Sequence, residues 1–245
     1  MHTADTDAGD VDTTGMKREG ANMTDIDIDI DIAEIEAVSQ RFEDATAQEI
    51  IGWTVDHCDH NVALACSFQD CVIIDLAVSV DPGLEVIFLD TGYHFPETLK
   101  FVEQVRERYN LNLTVTSPGE SAIGWPCGSE HCCEYRKVEP LGKALKGRAA
   151  WLTALKRSDS SVRADTPIVS WDATREMLKV NPLANWTDDD ISSYIDSAGL
   201  PEHPLISQGY LSIGCAPTTR PVAPGEHPRA GRWADTDKTE CGLHT

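Results

Sequence analysis

Two short apolar runs, each ending in a polar loop and each followed by helical spacing, limit what this chain can fold into. Asn61-Val-Ala-Leu-Ala-Cys66 and Leu84-Glu-Val-Ile-Phe-Leu89 have the length and near-unbroken apolarity of strands buried on both faces, as a parallel sheet requires. The first runs into Ser67-Phe-Gln-Asp70 and then a helical segment from Cys71 to Val80. The second runs into Asp90-Thr91-Gly92, after which Pro96 opens a helix carrying Leu99, Val102 and Val105. Further strands are expected at 111–116, 151–155 and 167–171. Further helices are expected from Ala33 to Ala45, from Ala47 to Cys58, from Lys137 to Leu145 and, capped by Thr187, through Ile195. Such alternation predicts an α/β fold, a doubly wound and mainly parallel sheet. Ligands of these sheets bind beyond the carboxyl ends of the strands. Ser67, Phe68, Gln69 and Asp70, together with Asp90, Thr91 and Gly92, are therefore candidate binding residues.

A length of 245 residues suits a single domain with tails. Residues 1–32 read as an acidic, solvated tail, because the Asp-Ile repeat from Asp25 to Ile32 would set like charges side by side in any strand. Residues 33–222 form the expected folded domain, and 223–245 a mobile C-terminal tail. No run approaches the roughly eighteen apolar residues of a membrane span. The start, Met-His-Thr-Ala-Asp, lacks the basic and apolar regions of a signal peptide, so a cytoplasmic protein is expected. The formal net charge of −21 would repel phosphates in a general field and argues against a nucleic-acid partner.

Eight cysteines in a reducing compartment point to metal ligands or catalytic thiols rather than to disulfides. Cys132 and Cys133 are adjacent, a spacing that strains a mutual disulfide and suits a metal cluster better. Cys215 follows in Ser212-Ile-Gly-Cys-Ala-Pro217, and Cys241 in Glu240-Cys-Gly-Leu-His244. Cys58, Cys66 and Cys71 read as core or near-surface thiols, while His94, His131, His203 and His227 share no metal-binding spacing.

Six stretches, in order, carry a family resemblance: Ser67-Phe-Gln-Asp70, Leu89-Asp-Thr-Gly92, Cys132-Cys-Glu-Tyr-Arg-Lys-Val-Glu-Pro-Leu141, Gly214-Cys-Ala-Pro217, Arg229-Ala-Gly-Arg232 and Glu240-Cys-Gly-Leu-His244. With them the chain resembles the adenylyl sulfate (APS) reductases of bacterial sulfate assimilation, sister enzymes of the phosphoadenylyl sulfate (PAPS) reductases. The resemblance implies an adenine-nucleotide, PP-loop-like fold and makes Cys241 a nucleophile on a mobile tail. It implies reduction of adenylyl sulfate to sulfite and AMP through a cysteine S-sulfonate, with thioredoxin or a similar dithiol as partner, in cysteine biosynthesis. It also implies a 4Fe-4S cluster on Cys132, Cys133, Cys215 and a fourth cysteine at 218, where this chain has Thr218. A hydroxyl is a far poorer iron ligand than a thiolate. Three arrangements stay open: Cys127 as substitute ligand, a three-cysteine cluster with a labile iron, or no cluster.

A substrate bearing phosphate and sulfonate charges calls for cations gathered within an acidic protein. The candidates are Lys137, Arg157, Arg163, Arg229 and Arg232, and the resemblance places them at the substrate, with Lys137 between cluster and sulfonate. His244 joins this set, and with Lys238 is close enough in sequence to Cys241 to activate its thiol. A PAPS reductase, releasing adenosine 3',5'-bisphosphate, is the alternative within the family. An adenylating ATP pyrophosphatase would carry Ser-Gly-Gly-x-Asp-Ser where residues 67–70 stand. A non-catalytic iron-sulfur redox sensor would account for the cysteines but not for the arginines.

Overall fold

The computed structural model describes residues 31–234, 238 and 240–244. Most of the expected acidic tail lies outside these residues. Its last two positions belong to the fold: the Asp31 carboxylate accepts the Ala33 N–H at 2.9 Å and caps α1 (Ile32–Arg41), leaving one fewer unpaired donor at the helix start. Thr46 and Glu49 form a reciprocal capping box on α2 (Ala47–His57). The chain then alternates through β1 (Val62–Cys66), α3 (Val72–Val80), β2 (Glu85–Leu89), α4 (Pro96–Tyr109) and β3 (Leu113–Thr116). After an irregular stretch come α5 (Glu139–Ala144), β4 (Ala150–Leu152), β5 (Val169–Asp172), β6 (Met177–Val180) and α6 (Asp188–Ala198). Thr187 caps α6 as expected, with Asp190 completing the box. Among the described residues no helix is long and apolar enough to cross a membrane.

The six strands lie in the order β3-β2-β1-β4-β6-β5, all parallel to their neighbours except β5, which runs antiparallel to β6. Strand alternation divides the core in two. Leu64, Val86, Leu152 and Val180 face one side and pack with Ile51 of α2, Ile74 of α3 and Phe101 of α4. Ala63, Ile87 and Trp151 face the other, against Leu141 and Leu145. Each fully buried side chain of this kind contributes about 1.5–3 kcal/mol of transfer free energy, and Phe101, Ile74 and Leu64 are all at most 1 % exposed.

Strand order reverses between β1 and β4, which leaves a crevice beyond their carboxyl ends. The expected strand over 151–155 ends at Leu152, and residues 153–156 leave the sheet to form one wall of that crevice.

Candidate functional site

A cavity of about 220 Å³ occupies the crevice. Its walls come from the loops after β1 and β4, the helix that begins at Cys132, the irregular segment 211–215, and the C-terminal segment that includes Cys241, Leu243 and His244.

Of the loop after β1, Ser67, Gln69 and Asp70 line the cavity. Gln69 acts as a latch: its Oε1 accepts the Ile213 N–H at 2.9 Å and its Nε2 donates to the Leu211 carbonyl at 3.4 Å, holding the segment before Cys215 against the sheet. The Asp70 carboxyl accepts the Val72 N–H at 3.0 Å, which satisfies one backbone donor at the start of α3. Burial pushes the Asp70 carboxyl up. Phe68 is a correction. Its backbone has a positive φ of 55°, and its ring is fully buried, edge-on to Phe88 at 5.4 Å, which makes it core rather than cavity wall.

After β2, Thr91, His94 and Thr98 reach the cavity, whereas Asp90 and Gly92 do not. Asp90 spends its carboxylate on the Gly92 N–H at 2.9 Å, and Gly92 turns the chain at φ 75°. The strand β2 lies one place away from the switch point, which is why Asp90 and Gly92 shape the turn instead of lining the crevice.

The cations divide likewise. Lys137, Arg163, Arg229 and Arg232 line the cavity. Arg157 is not part of its lining but is forked onto Glu43 at 2.7 and 2.8 Å and bonded to the Thr166 carbonyl at 2.8 Å; its place in the candidate set is corrected to a tie between its loop and the turn after α1. Its neighbour Lys156, absent from that set, is the one that faces inward, 9 % exposed and paired with Asp159 and Asp188 at 3.0 and 2.9 Å. Arg163 forks onto Glu240 at 2.9 and 2.8 Å, and Arg229 reaches the same carboxylate at 3.3 Å. Arg232 donates to the Ile213 carbonyl at 3.2 Å, while its Nε is buried without a hydrogen-bond partner among the described residues. Burial, then the charge of Arg229, lowers the Arg232 pKa, although Cys241, Cys215 and Glu240 oppose this.

The helix carrying the paired cysteines begins earlier than the sequence spacing suggests. Cys132 and Cys133 open it, and Glu134–Val138 are wound as a π-helix before α5. This is a local widening that recurs at functional sites. Arg136 pins the turn by donating to the carbonyls of Trp125, Thr91 and Ala122 at 2.9, 3.1 and 3.0 Å. Lys137 therefore sits among sulfurs. Burial works against its charge, but Cys215, Cys241 and Cys133 outweigh it and its pKa is raised.

The thiols themselves form a group. Cys132 Sγ lies 3.8 Å from Cys133 Sγ, Thr91 Oγ1 3.4 Å from Cys215 Sγ, and Cys127 Sγ 3.8 Å from Thr218 Oγ1. Cys132, Cys133 and Cys215 are buried. Among the described residues no three histidine, cysteine or carboxylate groups converge as they would on a single metal ion. A cluster makes a different demand, since each thiolate binds its own iron and the sulfurs stand apart. The adjacent pair Cys132 and Cys133, with Cys133 and Cys215 both acting on Lys137, fits that demand.

The fold and this geometry can be set beside known proteins. Residues 60–221 match the model of the phosphoadenosine phosphosulfate reductase domain. The chain belongs to this family. Among its relatives, the adenosine 5'-phosphosulfate reductase of Mycolicibacterium smegmatis is 43 % identical over 212 residues, covering 82 % of this chain and 89 % of the relative. That of Streptomyces coelicolor is 39 % identical over 235 residues, covering 91 % and 100 %. The crystal structure of a PAPS reductase from Candida auris, in a phosphate complex, superposes with a TM-score of 0.68 at 25 % identity, covering 79 % of this chain and 99 % of that one. The FMN adenylyltransferase of Candida glabrata shares the fold, with a TM-score of 0.57 at 19 % identity over 82 % and 71 % of the two chains.

In this reductase the C-terminal segment closes the cavity. His244 stacks on Trp151 with ring centroids 5.7 Å apart and 4° between planes, and its carbonyl accepts the Lys179 Nζ at 3.0 Å. Burial drives the His244 imidazole well below its ordinary pKa, so it is neutral and does not serve as the cation expected beside Cys241. Lys238 Nζ stands 3.2 Å from Cys133 Sγ. Lys137 and Arg232 both feel the charge of Cys241.

Proposed function

We propose that this chain reduces adenylyl sulfate to sulfite and AMP, with Cys241 as the nucleophile. The observation that carries the reading is the meeting of Cys241 with Lys137 and Arg232 in the crevice at the switch point. A thiolate, two cations and a nucleotide-sized cleft are what attack on an anionic sulfonate requires. The relatives from Mycolicibacterium smegmatis and Streptomyces coelicolor, both named for adenosine 5'-phosphosulfate, support the substrate.

In the first step the Cys241 thiolate bonds to the sulfonate sulfur, the bond from that sulfur to the phosphate oxygen breaks, and AMP leaves with the electron pair. Arg163 and Arg229, which line the cavity and now pair with the Glu240 carboxylate, would hold phosphate oxygens in competition with it. In the second step a thiolate of a dithiol such as thioredoxin attacks the Cys241 sulfur, and sulfite departs with the S–S bonding pair. The second thiol of that dithiol then resolves the mixed disulfide and returns Cys241 as a thiolate. The dithiol loses two electrons and the sulfonate sulfur gains them.

Cys132, Cys133 and Cys215 are the residues that would hold a 4Fe-4S cluster. When bound, it supplies a dense centre of charge beside Lys137, which tunes the cation facing the sulfonate.

Anaerobic incubation with adenylyl sulfate, without reductant, should add one SO₃ group to the intact chain, mapped to the Cys241 peptide. Cys241→Ser should abolish the adduct and lower turnover by at least about 10³-fold. An adduct formed only from PAPS would move the protein to the sister reaction. A folded chain that forms none with either nucleotide would sink the mechanism.

A further inference from the structure

The position at 218 raises a specific question, because a threonine stands where the motif Cys215-x-x-218 calls for a thiolate. The chain comes back to that point from elsewhere. The loop before the paired cysteines, Trp125-Pro-Cys-Gly128, is held to the π-wound helix by Arg136, which takes the Trp125 carbonyl at 2.9 Å. Gly128 reverses the loop at φ 92°, and a Cβ placed on it would rest 3.5 Å from Thr218 Cγ2. The loop thus passes beside residue 218. Its one thiol, Cys127, then comes to 3.8 Å from the Thr218 hydroxyl.

From this geometry we infer that Cys127 is the fourth cluster ligand, a thiolate relocated from position 218 to a neighbouring loop so that it reaches the same corner of the site. The inference rests on the reading that Cys132, Cys133 and Cys215 hold a 4Fe-4S cluster. Thr218, which Cys127 approaches to 3.8 Å, donates to the Cys215 carbonyl at 3.4 Å, Cys215 and Cys132 both act on the charge of Cys127, and Cys132 lies 3.8 Å from Cys133, so all four sulfurs share one neighbourhood. A thiol placed there without a ligand would be a liability, since four grouped thiols exposed to oxidant are prone to disulfide formation and over-oxidation. A neutral threonine is what the partner position needs once the iron is served from across the gap: it stands beside the Cys127 sulfur and offers no competing thiolate.

The alternative ligand sources fare worse. The Thr218 hydroxyl donates to the Cys215 carbonyl at 3.4 Å and would have to be deprotonated to bind iron well. His131 is turned to Glu134, with Nδ1 3.0 Å from its carboxylate. Cys66 ends β1, its sulfur accepting the Phe68 N–H at 3.3 Å.

The test measures iron, acid-labile sulfide and the thiolate-to-iron absorption of full-length protein purified and reconstituted without oxygen, with native mass spectrometry to count iron per chain. Wild type should carry about four iron atoms. Cys127→Ser should lose more than half of them, and Cys127→Ser combined with Thr218→Cys should regain the wild-type load and spectrum. Circular dichroism of each chain confirms that the fold persists. Cys127→Ser with an undiminished four-iron load would overturn the inference while leaving the cluster reading intact. Loss that Thr218→Cys does not repair would also overturn it, reducing Cys127 to a packing role. A wild type that takes up no iron at all would overturn the cluster reading, and the inference with it.

Discussion

Arg232 reaches the crevice across a stretch of backbone that has no side chain in the way. A Cβ at Gly214 would overlap its guanidinium, and one at Gly231 would overlap the Arg220 carbonyl, so both glycines are required by close approach rather than by backbone conformation. Gly214→Ala should therefore act through Arg232. In a Cys241→Ser background, where no chemistry follows, calorimetric titration with adenylyl sulfate should show binding weakened about 10- to 100-fold by Gly214→Ala and by Arg232→Ala, the worth of a charged hydrogen bond. The double variant should be no worse than the weaker single one. Fully additive losses would mean that Gly214 matters for some reason other than Arg232. The sequence made the motif residues visible at this scale but not their direction. Lys156 and Arg157 are consecutive cations in one loop, and only the packed structure shows that the first faces the crevice and the second turns to Glu43. Phe68 sat inside a polar motif and was read with its neighbours, although its ring belongs to the core.

At the scale of elements the C-terminal segment is the part whose position decides the chemistry. It is fastened by Glu240 to Arg163 and Arg229 and by the ring of His244 on Trp151. Glu240→Ala removes the fork and leaves Arg163 still paired with Asp159 at 2.7 Å, so the sheet side of the site should survive. Alkylation of Cys241 by iodoacetamide, followed by peptide mapping, should then be about tenfold faster, matching roughly 1.4 kcal/mol lost from the closed arrangement. High salt should narrow the difference, because the pairs are partly exposed. An unchanged rate would show that Glu240 does not hold the segment in place. The same scale explains what the sequence hid. The strands β1 and β2 announce themselves as apolar runs, whereas β6 is four residues set between Arg175-Glu176 and Asn181-Pro182, too short for any period to show. Its partner β5 runs antiparallel to it, which fits a mainly parallel sheet, although no spacing in the sequence marks which edge carries the reversal. The π-wound turn at Glu134–Val138 leaves no compositional trace either.

For the molecule as a whole, the irregular chain after α6 must be held to the helical layer if the crevice is to keep its far wall. His203 does much of this holding. It is 1 % exposed, with Nε2 3.0 Å from Thr98 Oγ1 of α4 and Nδ1 accepting the Leu205 N–H at 3.2 Å. The pairing fixes the neutral tautomer with its proton on Nε2. Burial lowers the imidazole pKa from 6.5 to about 4, with Glu97 working weakly against it. In the unfolded chain the ring binds a proton through that interval, and in the folded chain it does not. Unfolding therefore takes up a proton between about pH 6.5 and 4, and this group's contribution to stability is lost as pH falls across the window. The linked slope is at most about 1.4 kcal/mol per pH unit for one proton. Denaturant unfolding at steps from pH 7 to 4 should show wild type losing stability more steeply than His203→Gln, which cannot take up that proton, while above pH 7 the variant should be the less stable chain because its side chain fits the two partners less well. Equal slopes in the two chains would place the acid sensitivity elsewhere, on carboxylates held below their ordinary range such as Asp159 beside Lys156.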